Sequence, residues 1–254
     1  MRVARRRAGS WRLALLMLAP AAWAAEPLWV DAGRPTPLAQ QALALLADAP
    51  SHGLDPRDYG LPALQRAWQS PAPAGDAAMA LSAAMRRYLQ DLHDGRAPPP
   101  SPTPRAVASR QPFDAAAALR AAATSGDLTQ AVRAAVPPLP QYERLREALA
   151  GHRALVDHPA WRQPWPLLPA GARVRTLAPG QPWPGLPLLT ARLLALGDLV
   201  AADAMAAVDA VYDGPLVTAV QAFQRRHGLQ DDGVIGRATL AALNVSPAQR
   251  VQQL

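Results

Sequence analysis

The segment YDGPLVTAVQAFQRRHGLQDDGVIGRATLAALN, Tyr212 to Asn244, reads as a small helical unit with defined ends. Gly214 followed by Pro215 is a helix start, because proline fits the first helical position with its φ already set. Leu216, Val220 and Phe223 then recur at i, i+4 and i+7 and share one face of an amphipathic helix. Gly228 supplies a left-handed stop, with Leu229 placed to fold back as the hydrophobic contact of a Schellman-type cap. Asp232 and Gly233 form a turn pair, Val234 and Ile235 give two apolar anchors, and Gly236 permits a second change of direction. A short helix follows that carries Leu240 and Leu243 inward and finishes near Asn244.

These residues resemble the peptidoglycan-binding-like domain, a three-helix module appended to cell-wall enzymes. The resemblance rests on AVQAFQRRHGL, Ala219 to Leu229, and DGVIGRATLAAL, Asp232 to Leu243, which match the pattern in order and spacing. It marks Phe223, Gly228, Gly233, Gly236 and Thr239 as motif positions, and makes LLTARLLALGDL, Leu188 to Leu199, the first helix. One departure is the Ala-rich stretch AADAMAAVDAV, Ala201 to Val211, where a minimal module has only a short turn.

Composition frames the rest of the chain. Half of the 254 residues are apolar, 5% are aromatic and 28 are proline, so helices separated by many breaks are expected. All basic charge is arginine, and the formal net charge is +7. Arg2, Arg5, Arg6, Arg7 and Arg12 all precede the first acid, Glu26; without them 21 arginines face 19 acids, which removes the argument for a nucleic-acid partner. Those arginines lead into LALLMLAP and AAWAA, the basic, apolar and small-residue parts of a Sec-type signal peptide over residues 1–24. Export to the periplasm or cell envelope is expected, with no membrane span after cleavage. The chain has no cysteine, which excludes disulfides, thiolate metal sites and a catalytic thiol.

Between Glu26 and Pro187 the pattern predicts helices over Pro37–Pro50, Asp76–His93 and Pro138–Asp157, with two short ones in FDAAAALRAAATSG and DLTQAVRAAV. Met79, Leu81, Met85, Tyr88, Leu89 and Leu92 are expected on the apolar face of the second. Ala97–Pro104 reads as a polyproline-like linker. Trp161–Pro187, with three tryptophans among prolines and glycines, reads as an extended, Trp-pinned connection. The runs HGLDPRDYGLPAL, YLQDLHDGRAPP, PQYERLREALAGHRAL and WPLLPAGARVRTLAPG resemble successive parts of the scaffold domain of large periplasmic murein L,D-transpeptidases. The resemblance implies an all-α chain: a helical scaffold domain over 25–180, a three-helix peptidoglycan-binding-like bundle over 181–247, and the start of a catalytic region at 248–254. That family's reaction uses a cysteine nucleophile, and this chain supplies none.

No catalytic constellation, metal site or cofactor is predicted. His152, Asp157 and His158 match no zinc spacing and read as a solvated helix end. The adjacent Asp231 and Asp232 cannot face one glycosidic bond as an acid/base pair, and the turn explains Asp232. No G-x-S-x-G or S-x-x-K segment offers a serine. His227 lies on the stripe of Leu216, Val220 and Phe223 and reads as a half-buried end of the core. Thr239 is placed to bond back to the turn at Asp232 and Gly233. Gln224, Arg225, Arg226 and Asp232 are the candidate contacts to peptidoglycan, through peptide-stem carboxylates or glycan hydroxyls. The expected activity is peptidoglycan binding without catalysis. The other readings are a truncated or split L,D-transpeptidase and a regulatory partner of another cell-wall enzyme.

Overall fold

A computed structural model describes residues 28–69, 75–96, 112–170, 175–202 and 211–254. The expected signal peptide, the polyproline-like linker and residues 203–210 of the Ala-rich stretch lie outside the described residues. The described residues carry ten α-helices and one two-stranded antiparallel hairpin, β1 (Val30–Asp31) with β2 (Arg34–Pro35), so the fold is essentially all-α as expected. Among them no helix is long and apolar enough to cross a membrane.

The chain divides into two compact units, one of residues 1–48 and 55–136, the other of 49–54 and 137–254. The described residues of 137–180 fall in the second of these units.

The first unit contains α1 (Pro37–Ala47), α2 (Leu61–Trp68), α3 (Gly75–Asp94), α4 (Ala115–Ser125) and α5 (Thr129–Ala135). Thr36 starts α1 by accepting from the Ala39 N–H, the side-chain capping that threonine does well. Leu46, Leu81, Met85, Tyr88, Leu89 and Leu128 fill the core with Trp29, whose indole N–H donates to Ser82 Oγ at 2.6 Å. Met79 departs from the expected stripe and is 59% exposed, because its neighbours Ala77 and Ala78 take the buried positions of the first turn of α3. The Tyr59 ring meets Tyr88 edge-on at 5.5 Å, and its hydroxyl donates to Asp91 at 2.9 Å.

The second unit contains α6 (Pro140–Ala154), α7 (Leu186–Leu196), α8 (Gly214–Arg226), α9 (Arg237–Asn244) and α10 (Pro247–Gln253). Residues 49–54 run along α6: Arg146 donates to the Ser51 carbonyl at 3.3 Å, and His52 Nδ1 lies 2.6 Å from the Tyr142 hydroxyl. Between Arg162 and Gly185 the described residues carry no helix, as the composition predicts. This connection is fixed by backbone bridges from Leu177 to Ile235 and from Pro182 to Val211, and by the Trp183 N–H donating to Leu167 at 2.9 Å.

Arg192, only 3% exposed, holds this unit together. It donates to the carbonyls of Ala160 at 2.9 Å, Gln163 at 3.1 Å and Leu243 at 2.9 Å, joining the tryptophan segment, α7 and the end of α9. Its guanidinium lies 4.3 Å from the Trp165 ring centre, whose other neighbour is Trp183 at 5.5 Å, stacked within 18°. Burial lowers its pKa to about 10, so it remains charged at neutral pH. Replacing it by methionine keeps the stem but strands three carbonyls. Arg192→Met is expected to cost about 3 kcal/mol in urea unfolding; a cost below about 1 kcal/mol would show that water replaces these bonds.

Candidate functional site

The site grows from α8. Pro215 occupies its first turn, and Leu216, Ala219, Val220 and Phe223 form the buried face. The helix ends in the expected Schellman geometry: Gly228 has φ +64°, Leu229 N–H donates to Gln224 O at 2.9 Å, and Gly228 N–H to Arg225 O at 3.1 Å.

The loop that follows is organised by Gln224. Although Gln224 is predicted as a ligand contact, it is 1% exposed. The two N–H groups of its Nε2 are shared among three acceptors, Asp232 Oδ1 at 3.1 Å, Val234 O at 3.0 Å and Thr239 Oγ1 at 3.2 Å, while its Oε1 accepts from Gly233 N–H at 2.9 Å. Its carboxamide is consumed inside the module, because a polar group buried on a core-facing position must find internal partners. Thr239 also donates to Val234 O at 3.4 Å, so its hydroxyl does return to the turn. Asp232 accepts from Val234 N–H at 2.9 Å, an Asx turn that explains it as a turn residue. Gly233 has φ +72°, and a Cβ there would fall 2.8 Å from Val217 Cγ1, so both conformation and space require glycine. Gly236 differs from expectation: at φ −94° and ψ −169° its backbone is extended and demands no glycine.

Two residues absent from the sequence reading complete the bracket. The Tyr212 hydroxyl, fully buried, donates to Gly233 O at 2.6 Å; burial raises its pKa. Asp198, just past α7, pairs with Arg226 at 2.5 Å. An acid next to a helix-ending glycine is the only sequence signal for the second; nothing in the sequence separates Tyr212 from an ordinary core tyrosine.

Arg225 and Arg226 point outward at the end of α8. Arg225 pairs with Asp231 at 3.2 Å, their side chains 68% and 52% exposed, and Arg226 pairs with Asp198. Surface ion pairs contribute little, typically under about 1 kcal/mol, so ligand carboxylates or hydroxyls can exchange into the exposed Arg225–Asp231 pair, whereas the Asp198 carboxylate that holds Arg226 is 7% exposed. This patch of two guanidiniums beside Asp231 is what the module offers a polar ligand. The tryptophans are engaged within the unit: Trp165 carries Arg192 and stacks on Trp183, and Trp183 is buried.

His227 packs on Phe223 with ring centres 4.2 Å apart, the half-buried position expected. Its pKa falls from 6.5 to about 4, first through burial, then through Arg226 and Arg250, with Asp198 opposing. His158 Nδ1 accepts from Ala160 N–H, and His152 is half-buried, its pKa also lowered by burial and by the two arginines. Among the described residues no group of three His, Cys, Asp or Glu could hold a metal ion.

Two outcomes follow from this geometry. Gln224→Leu, which strands the buried Gly233 N–H and removes the Nε2 bonds to the loop, is expected to cost about 2 kcal/mol in denaturant unfolding, and Tyr212→Phe about 1 kcal/mol. For His227 the folded pKa lies below the unfolded one, so the unfolded chain takes up the proton first. Its contribution is fully present above pH 6.5 and is lost as pH falls towards about 4. Thermal melts should show a Tm that declines over that interval, with a shallower decline in His227→Gln.

Comparison with known families gives two matches: the Scaffold domain over residues 21–149 and the Putative peptidoglycan binding domain over residues 185–243. No curated protein matches the chain. Together the two domains indicate a cell-wall protein that binds peptidoglycan. With the scaffold match covering half its length, the chain belongs to the family defined by the L,D-transpeptidase Scaffold domain, here followed by a peptidoglycan-binding domain.

Proposed function

We propose that this chain is an exported, periplasmic protein that docks on peptidoglycan through the end of α8 and carries out no peptide cross-linking itself. The observation that carries the reading is the outward patch of Arg225 and Arg226 at the end of α8 with Asp231, beside a turn held from within by Gln224 and Tyr212. A rigid loop loses little entropy on binding, and exposed guanidiniums meet carboxylates with paired hydrogen bonds. Asp232 takes part by holding the turn, and Gln224 by supporting it. Catalysis by a thiolate is outside the chain's chemistry, since it contains no cysteine. The domain order scaffold then binding module favours a second reading, in which the chain serves a cell-wall cross-linking enzyme as its non-catalytic part or partner.

Residues 25–254 should co-sediment with purified sacculi, and Arg225→Ala, whose ion pair is exposed, should reduce the bound fraction several-fold while the Tm stays within a few degrees. Equal pelleting of the variant and the parent would move the contact elsewhere. Incubation with tetrapeptide-containing muropeptides is expected to give no 3→3 cross-links by mass spectrometry, and any such product would overturn the non-catalytic reading.

A further inference from the structure

Two histidines meet at one junction of the C-terminal unit. His152 of α6 and His227 at the end of α8 line a cavity of about 10 Å³ together with Trp161 and, from α10, Pro247 and Arg250. That volume admits about one water molecule, so an imidazolium formed there is poorly hydrated. The buried Nδ1 of His152 and Nε1 of Trp161 find no hydrogen-bond partner among the described residues. A His152 ring carrying both protons places an N–H at Nδ1, where no acceptor waits.

The charges around the rings are mostly of one sign. Arg226 of α8 and Arg250 of α10 act on both imidazoles, His152 acts against a charge on His227, and Arg192 of α7 lies 5.6 Å from the Trp161 ring centre. Arg153, next to His152, is turned to the Pro50 carbonyl, and His158 meets Trp161 edge-on at 5.7 Å. Asp198 is the acid that opposes them at His227, and Arg226 already holds it at 2.5 Å. Burial first, and the arginines second, keep both imidazoles below their ordinary 6.5, His227 at about 4.

The helix beside them has little to resist a change of charge. α10 has seven residues, packs against α6 and buries Pro247 alone. A helix this short has little stability of its own. The core of α7, α8 and α9 is tied differently, by Arg192 and Gln224, which do not titrate in mild acid. We propose that the junction is an acid-operated latch: protons taken up by His152 and His227 release α10 from α6 while the core of α7, α8 and α9 stays folded. Release opens the rings to water, where their ordinary affinity for protons returns, so the open state gains as pH falls below 6.5. Above that pH the latch is closed.

Amide hydrogen exchange of residues 25–254 at pH 7.5 and 4.5, each corrected for the intrinsic exchange rate, tests it. Protection at Arg250 and Leu254, whose N–H groups donate to the Ser246 and Arg250 carbonyls, should fall about tenfold or more at the lower pH. Amides from Val220 to Phe223 in α8 should stay more strongly protected than those of α10 at both values, as local release requires. His152→Gln/His227→Gln should hold the α10 ratio near one, and Arg250→Met, which removes a cation from beside the rings, should reduce it. Because the ratio is taken within each variant, a uniform loss of stability does not mimic the result. Unchanged α10 protection in the parent, equal protection of α8 and α10 at pH 4.5, or an undiminished ratio in the glutamine variant overturns the proposal.

Discussion

Within the C-terminal unit, the buried guanidinium of Arg192 is the interaction on which the other contacts rely. A charge without a carboxylate partner is costly to bury, and the cost is offset here by three carbonyl acceptors and the face of Trp165. Those carbonyls belong to segments with little regular structure of their own, the turn at Ala160 and Gln163 and the end of α9. Hydrogen bonds from one rigid, planar donor therefore fix segments that helix propensity would leave loose. The tryptophan connection is held as a wall of the module's core, and α7 is aligned with α9.

The candidate site repeats the same device with a neutral side chain. Gln224 has two N–H donors and one carbonyl, and all are taken up by the Asp232–Thr239 loop. With the Tyr212 hydroxyl on Gly233, the loop becomes a preorganised support. The arginines that follow Gln224 in sequence, Arg225 and Arg226, then project outward because successive helical positions turn by about 100°. One residue of the QRR run is framework and the next two are surface, a distinction fixed by helical phase.

The helical elements were legible in the chain because their signals are local. Pro37, Pro140 and Pro215 open helices, Gly197 and Gly228 close them, and the apolar spacing in between identifies the buried face. The module's turn was legible too, since Asp232 and Gly233 carry the backbone requirement in their own chemistry. Two expectations missed for reasons of packing. Met79 satisfies the helical period yet faces outward, and Gln224 looks like a surface polar residue yet lies in the core. In both cases burial depends on what approaches from elsewhere in the chain.

The amino-acid sequence alone therefore determined the all-α class, the helix ends, the turn at Gly233 and the lack of a thiol nucleophile, because each follows from properties of one residue and its near neighbours. Only the tertiary structure decided that Arg192 is a buried tie and that Gln224 and Tyr212 brace the loop. Those outcomes depend on partners 9 to 51 residues away, and pairing across such distances is set by packing geometry.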